Sequence, residues 1–540
     1  MKTVFFRSQQ VLILVFALVF LYQPQLSRAE DDGDLVQLFH PFPAHFNAAI
    51  SGDLSITSAA SNVFVSLLKM GEDGSFLPYL ASSWGVSSNG MTHRFYLQEG
   101  TVFHDGWPVT SEDVAFSYRI FRQYHPLGEK MFGRVELVET PDAATFVMHL
   151  SQPDPALLIG LASPFLPILP AHIYGSGDIF KNPANIKAVG SGPFLVADYR
   201  AGEGFILQRF NRFLIPDRPC LNQIIGKNGS DFSAAITALN SGNAHLFTFL
   251  QNLDVSDSLS ENNELRIESI DHENVGALNY LEFNLRKKTL KNQRVRQAIA
   301  SAIDLEFINA AIYRDYTLAL TGPLPLESRF YNDDVDLYPL DLNKAEQLLN
   351  QAGYPRTEDG TRFSTQLTWM PNPGGYEKQV ASYIKSQLEK IGIKVELDPP
   401  QSYIDWYIQV SKWQHHMTLS RVIEWGDPII NLHPLFRSEH IRHRVGDNTA
   451  GISNELLDVL LGAAGRETDP EIRTGLYRQF QTLISEELPL YFMHETPFIN
   501  IISTHLQNFP TKARNIIGPL DQVCVTKSGW SSKEGVENLR

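Results

Sequence analysis

Residues 93–98 alternate. His93, Phe95 and Leu97 fall on one side and Arg94, Tyr96 and Gln98 on the other, the period-two pattern of a half-buried strand. Thr110 then stands where a helix N-cap belongs, with Asp113 three places later, and Val114, Ser117, Tyr118 and Phe121 share one stripe of the helix this predicts. Residues 194–210 carry two alternating runs joined by Ala201-Gly202-Glu203-Gly204, which predicts a β-hairpin.

Helical stripes dominate further on. Asp231–Asn240 carries Ala235, Ile236 and Leu239 and stops at Gly242. Asn292–Ile303 stacks Val295, Ile299 and Ile303 and leaves Arg294 and Arg296 off the stripe. Asp341 caps a helix whose Ala345, Leu348, Leu349 and Ala352 share a face that Gly353 ends. Tyr376–Ile391 stacks Val380, Ile384, Leu388 and Ile391. Gly392 stops it, and Ile393, Val395 and Leu397 alternate as a strand. Glu471–Glu487 stacks Ile472, Leu476, Phe480 and Leu483 before Pro489. Strand and helix signals alternate along the whole chain without an internal repeat, so the expected class is α/β.

The first 29 residues stand apart. Lys2 and Arg7 precede an apolar run, VLILVFALVFL, at 11–21, and Ser27-Arg28-Ala29 ends in small residues two places apart. That is the form of a secretory signal peptide cleaved after Ala29, and the absence of Cys there argues against lipid attachment. An uncleaved anchor is the other reading, disfavoured by the polar and proline residues that follow Leu21 at once. The remainder is long enough for two or three lobes. The formal net charge is −15, and it becomes more acidic once Lys2, Arg7 and Arg28 are removed. Such a chain disfavours nucleic acid and anionic membranes as partners. Cys220 and Cys524 are the two cysteines. In an oxidising compartment they read most simply as one disulfide, two buried thiols being the alternative.

Motifs for catalysis are missing. The chain has no G-x-S-x-G, no H-E-x-x-H and no P-loop, and two distant cysteines make no zinc site. His440 and His443 are spaced to share a helical face, but Arg437, Arg442 and Arg444 surround them and would repel a cation. His415 and His416 are adjacent, so their side chains diverge. His104-Asp105 has the residue types of a dyad, yet neighbours on a strand point apart. Asp105-Gly106-Trp107-Pro108 is turn chemistry, so strand, tight turn and capped helix are expected there. No catalytic residue, cofactor or metal is assigned.

Residues 80–119, LASSWGVSSNGMTHRFYLQEGTVFHDGWPVTSEDVAFSYR, resemble the signature of the extracellular solute-binding proteins of family 5, the peptide, nickel and opine binders of ABC importers. VGSGPFLVADY (189–199), LEFNLRKKTLKNQRVRQAIASAID (281–304), DLNKAEQLLNQAG (341–353), KIGIKVEL (390–397), EWGDP (424–428) and LYRQFQTLISEELPLYF (476–492) resemble further stretches of the family in the same order. The resemblance implies a two-lobed periplasmic-binding-protein fold, type II, cluster C. After the signal peptide 1–29, lobe one would take 30–72, an extra subdomain 73–185, lobe one again 186–278, lobe two 279–493, and lobe one once more 494–540. Both cysteines would lie in lobe one. The implied function is capture of peptides or peptide-like solutes in the periplasm, with delivery by a monomer to an inner-membrane permease and its ATPase. An opine, oligosaccharide or metal chelate on the same scaffold is the alternative. An exported hydrolase or an assembly role on the same cleft ranks lower.

In similar peptide binders an acidic residue just before a G-D-P or N-E-P string receives the ligand's α-amino group, and here that position is Glu424. Trp425 would supply an apolar or cation–π wall. Asp427 is either a ligand contact or a turn residue before Pro428, and Arg421 either a ligand contact or a partner for Glu424. The loop 368–376 offers Trp369 and Asn372. Dipeptide binders resemble this region but carry a basic residue in it for the ligand carboxylate, and this chain has none before Lys378. Near the mature N-terminus His40 joins aromatics where the family lines its cleft.

Overall fold

The structure is a computed structural model; it describes residues 33–269, 276–335, 337–371, 375–496 and 498–526. The expected signal peptide and Asn372 lie outside the described residues.

Three sheets organise the chain. A seven-stranded sheet runs in the order Leu265–Ser269, Ile499–Ser503, Leu246–Leu250, Asp34–Phe39, Gln223–Asn228, Gly204–Arg209, Phe194–Arg200. Asp34–Phe39 lies parallel to both its neighbours and is buried along nearly its whole length, as a strand covered on both faces should be. A five-stranded sheet runs Ile393–Leu397, Phe363–Trp369, Met417–Glu424, Gly276–Phe283, Leu490–Glu495. An antiparallel sheet of four strands, Ala81–Val86, Thr92–Leu97, Thr145–Leu150 and Val135–Asp142, is the third, and two two-stranded ladders, Leu68–Met70 with Phe76–Pro78 and Leu506–Gln507 with Cys524–Val525, accompany them. In Thr92–Leu97 the inward residues are His93, Phe95 and Leu97, so the alternation is real and sets which face meets the core.

The chain passes from the first sheet to the second between Ser269 and Gly276, and returns between Glu495 and Ile499. The fold is therefore two lobes joined by two adjacent crossings. Near the crossings apolar packing is continuous, from Val36 and Phe247 of one lobe to Leu281 and Tyr491 of the other. Cys220 and Cys524 are bonded with their Cα atoms 5.2 Å apart, and the bridge ties the C-terminal segment to the chain just before the Gln223–Asn228 strand of the first lobe.

Local signals account for most element ends. Asp231, Asn292 and Asp341 each accept a backbone N–H of the helix they precede. Gly353 and Gly392, at φ +84° and +83°, turn the chain out of helices in the left-handed region that favours glycine.

Three expectations need correction. The helix Pro470–Glu487 buries Arg473, Tyr477, Phe480, Gln481, Ile484 and Ser485, whereas Ile472 is 57 % exposed. The buried face is rotated by about one position because Arg473 and Gln481 find partners inside, which an apolar pattern does not register. Arg296 is buried too. It donates from Nε to the carbonyls of Glu487 (3.0 Å) and Leu488 (3.1 Å) and from Nη1 to Leu290 (2.9 Å), capping the end of that helix. His440 and His443 do not share a helical face. The 3-10 turn ends at His440, and the His443 ring stacks on Trp413 at 3.8 Å.

Candidate functional site

The Met417–Glu424 strand lies beside Gly276–Phe283, the first lobe-two strand after the crossing, with Glu424 paired to Gly276. Beyond it Gly426 takes φ +89°, Asp427 caps the next helix by accepting Ile429 N–H at 3.0 Å, and Pro428 occupies the first helical turn. This strand–turn–helix sets each side chain of the stretch.

Asp427 is spent on structure. Both carboxylate oxygens accept from Arg473, at 2.7 Å each, and both residues are buried. Tyr477 lies beside Arg473 at 3.4 Å and meets His433 at 2.9 Å, so the pair is part of a satisfied buried network. Trp425 is buried, edge-on to Phe165 at 5.1 Å, and packs with the lobe-one core. It is an apolar contact between the lobes.

Glu424 differs. It is 3 % exposed and its Oε1 has no hydrogen-bond partner. Burial, reinforced by Asp427, pushes its carboxyl well above the usual range, and only the Lys130 ammonium opposes this. Lys130 comes from the first lobe's side. It donates to Asn431 Oδ1 at 2.9 Å and to the Gly446 carbonyl at 3.1 Å, and burial pushes it down to about 8. Glu424 and Gly426 line a cavity of about 320 Å³ between the lobes, closed by Pro325 and Arg329 on one side and Met70, Asp73 and Phe76 on the other.

Arg421 does not pair with Glu424. Residues three apart on a strand face opposite sides. Arg421 instead donates from Nη1 to Gln251 Oε1 of lobe one at 3.1 Å and sits in the field of Glu377. With Ile423 it lines a second interlobe cavity of about 320 Å³, which His40 also borders. His40 Nδ1 lies 3.2 Å from Ser230 Oγ, and the ring meets Phe232 edge-on at 5.0 Å. Trp369 is buried in the lobe-two core.

The structure thus brings Glu424, Asp427, Arg421 and His40 to the lining of interlobe cavities, Asp427 with its carboxylate held by Arg473, and buries Trp425 and Trp369 in packing. Sequence reasoning missed Lys130. A lysine between Leu127 and Met131-Phe132 was its only signal, and its burial depends on the facing lobe.

The His104-Asp105 pair behaves as architecture. His104 Nδ1 accepts Gly190 N–H at 3.2 Å and Nε2 lies 3.1 Å from the Gly192 carbonyl; burial pushes the ring down to about 4, so it is neutral. Asp105 points away, accepting Trp107 N–H at 3.1 Å and meeting His172 Nε2 at 2.8 Å. Among the described residues no group of three or more His, Cys, Asp or Glu is arranged to hold a metal ion.

Residues 75–442 match the model of the bacterial extracellular solute-binding proteins, family 5 Middle. The chain is 27 % identical over 437 residues to Heme-binding protein A of Haemophilus influenzae, covering 76 % of this chain and 77 % of that protein. It is 27 % identical over 478 residues to Di/tripeptide-binding protein 1 of Pseudomonas aeruginosa, covering 83 % and 86 %. In fold it is similar to the oligopeptide-binding protein AppA from Bacillus subtilis in complex with a nonapeptide. The TM-score is 0.77 at 23 % identity, over 92 % of this chain and 99 % of that one. Sheet order, the double crossing and the sequence match agree: the chain belongs to the family 5 bacterial extracellular solute-binding proteins.

Proposed function

We propose that this chain is the periplasmic substrate-binding component of an ABC importer, exported by a cleaved signal peptide, and that it captures peptides or peptide-like solutes without converting them. Its partners are an inner-membrane permease and its ATPase, and it acts as a monomer. The observation that carries the ligand reading is the buried Glu424 carboxyl group, whose Oε1 lacks a partner beside an interlobe cavity and which an incoming cation would return to its charged form. A buried acceptor left open costs free energy, so it marks a place where a donor is supplied from outside. An ammonium is the donor that best matches it.

The division is taken as lobe one (30–72, 186–278 and 494–540), its subdomain (73–185) and lobe two (279–493), except that Gly276–Phe283 and Leu490–Glu495 both pair in the lobe-two sheet, which moves the crossings to 269/276 and 495/499. Capture works by shifting a population. Several contacts bridge the lobes: Lys130 to Asn431, Arg134 Nη1 to the Gly465 carbonyl at 2.5 Å, and Arg314 to Asp254 and Asp257 at 2.7 and 2.6 Å. Separating the lobes breaks them, and a solute touching both lobes adds to them, so occupancy favours the closed form that the permease reads.

The test is calorimetric titration of an unblocked tripeptide and its N-acetyl analogue. Glu424→Gln should weaken the unblocked peptide more than tenfold and leave the acetylated one at its already low affinity. An unchanged affinity for the unblocked peptide removes Glu424 from the site.

A further inference from the structure

The far end of lobe two reverses the sign of the chain. Against a formal net charge of −15, the segments 284–296, 406–416 and 440–446 carry lysine, arginine and histidine and no Asp or Glu. Gly276–Phe283 leaves the first crossing and Met417–Glu424 runs back to it, with Phe283 opposite Met417. The residues after Phe283 and before Met417 therefore stand about 24 Å along the strands from Gly276, at the tip of the lobe away from both crossings.

Tertiary contacts join the three segments. The Arg286 guanidinium and the His443 ring each lie 3.8 Å from the Trp413 ring, and His443 Nδ1 is 2.7 Å from the Ser411 carbonyl. Lys287 Nζ donates to the Gln414 carbonyl at 3.4 Å. Buried Asn284 donates from Nδ2 to the carbonyls of Trp413 (2.9 Å) and His415 (2.8 Å), and Trp413 holds φ +59°, a left-handed conformation uncommon for a bulky side chain. The platform is built, with its turn clamped from below.

Carboxylates that touch it are engaged. Glu282, 2 % exposed, faces His415 Nε2 at 3.0 Å and accepts Thr449 Oγ1–H at 2.9 Å. Buried Asp447 takes Arg444 through both oxygens, at 3.0 and 2.9 Å, which neutralises that arginine. Glu439 pairs with Arg437 at 2.8 Å. Among the described residues none of Arg286, Lys287, Lys288, Lys291, Lys412 and Arg442 forms an ion pair, and all but the half-buried Lys287 are exposed. Distant acidic groups do not cancel them, because at about 0.15 M salt an exposed charge is felt over about 8 Å.

An anionic partner is either a lipid surface or an acidic protein face. Lysine heads are compact charges on flexible stems and suit many equivalent phosphates, whereas arginine forks suit single carboxylates. Lysines supply most of the free heads here, Arg286 is committed to Trp413, and a half-buried indole among cations is a side chain suited to the membrane–water interface. We infer that the distal tip of lobe two is a docking surface for an anionic phospholipid bilayer, with Lys287, Lys288, Lys412 and Arg442 against the lipid phosphates around Trp413. Docking there turns the two crossings away from the bilayer. It also refines the reading of composition: the net charge opposes a membrane at long range, and a screened basic patch selects the one face that touches it. None of these residues lines either interlobe cavity, so the surface goes beyond solute capture and is separable from Glu424.

The test is co-sedimentation of the full mature chain, without solute, with vesicles of phosphatidylcholine alone and of phosphatidylcholine mixed with phosphatidylglycerol, at about 0.15 M salt. The mixed vesicles should bind the protein at least about tenfold more tightly. Lys288→Gln and Lys412→Gln should each weaken that binding about fivefold. Salt at about 1 M, where the screening length is about 3 Å, should abolish it. Lys187→Gln, which removes an exposed lysine of the first lobe, should change nothing. The melting temperature should stay the same in all three variants, since each head is exposed. Equal binding to the two kinds of vesicle, or a loss with Lys187→Gln as large as with Lys288→Gln, overturns the inference. Retention on immobilised polyglutamate with no binding to the mixed vesicles also overturns it and assigns the patch to an acidic protein. No solute enters these measurements, so their failure and that of the Glu424 titration are distinguishable.

Discussion

Two turns in this protein look alike in sequence and differ in their polar accounting. Gly100–Thr110 and Arg421–Pro428 each place charged groups next to glycine and proline just ahead of a helix. In the first, the ring nitrogens of His104 and the carboxylate of Asp105 have partners within the same lobe or turn. In the second, Asp427 is satisfied by a helix 46 residues away, Arg421 reaches into the other lobe, and Glu424 keeps an oxygen without a partner. A turn whose polar groups are locally satisfied is architecture. One whose buried groups need the opposite lobe or an outside donor is where a solute can be recognised.

The sharpest way to break this contrast is to remove the remote partner. Arg473→Met leaves Asp427 buried without its cation, and the loss should be about 3–5 kcal/mol in chemical denaturation. A loss below about 1 kcal/mol would mean that the 421–428 turn holds itself and that the contrast is empty.

The next effect belongs to the first turn and is read by pH. Burial depresses the His104 pKa to about 4, while an unfolded histidine titrates near 6.5. The folded state therefore disfavours the proton. The stability that neutral His104 contributes is complete above pH ~6.5 and is lost as pH falls toward about 4. Between pH 7 and 4.5 the wild type should lose about 2 kcal/mol more than His104→Gln. Parallel stability–pH curves would show that His104 titrates normally.

The smallest effect tests the backbone of the same turn. Gly106 holds φ +93°, and a Cβ there would meet only the Arg212 guanidinium at 3.6 Å. Gly106→Ala should thus cost about 1 kcal/mol, from conformation alone, with solute affinity unchanged. A shift in affinity would make the first turn part of the site.

Legibility follows the same division. The capping of the Ser111–Tyr124 helix could be read because it lies within four residues: Asp113 Oδ2 accepts Thr110 N–H at 2.9 Å. The hairpin Phe194–Arg200/Gly204–Arg209 could be read because its turn carries its own glycine, Gly202 at φ +73°. The inward face of Pro470–Glu487 could not, because Arg473 and Gln481 are buried by partners at Asp427 and Phe330 that no window contains. The left-handed backbone of Phe249, φ +58°, was invisible for a related reason: it sits where the pairing of Leu246–Leu250 with Ile499–Ser503 shifts register, and its N–H donates to Asn500, 251 residues on.

The sequence by itself determined the alternation of strands and helices, their caps and stops, the family likeness and the position of Glu424, since each depends on residue types at short, fixed spacing. Tertiary structure alone decided which charges are satisfied, which face of a helix is buried, and that Arg421 and Glu424 open into separate cavities. Burial and hydrogen bonding are properties of pairs, and in a chain that crosses twice between two lobes the partners come from opposite ends of the sequence.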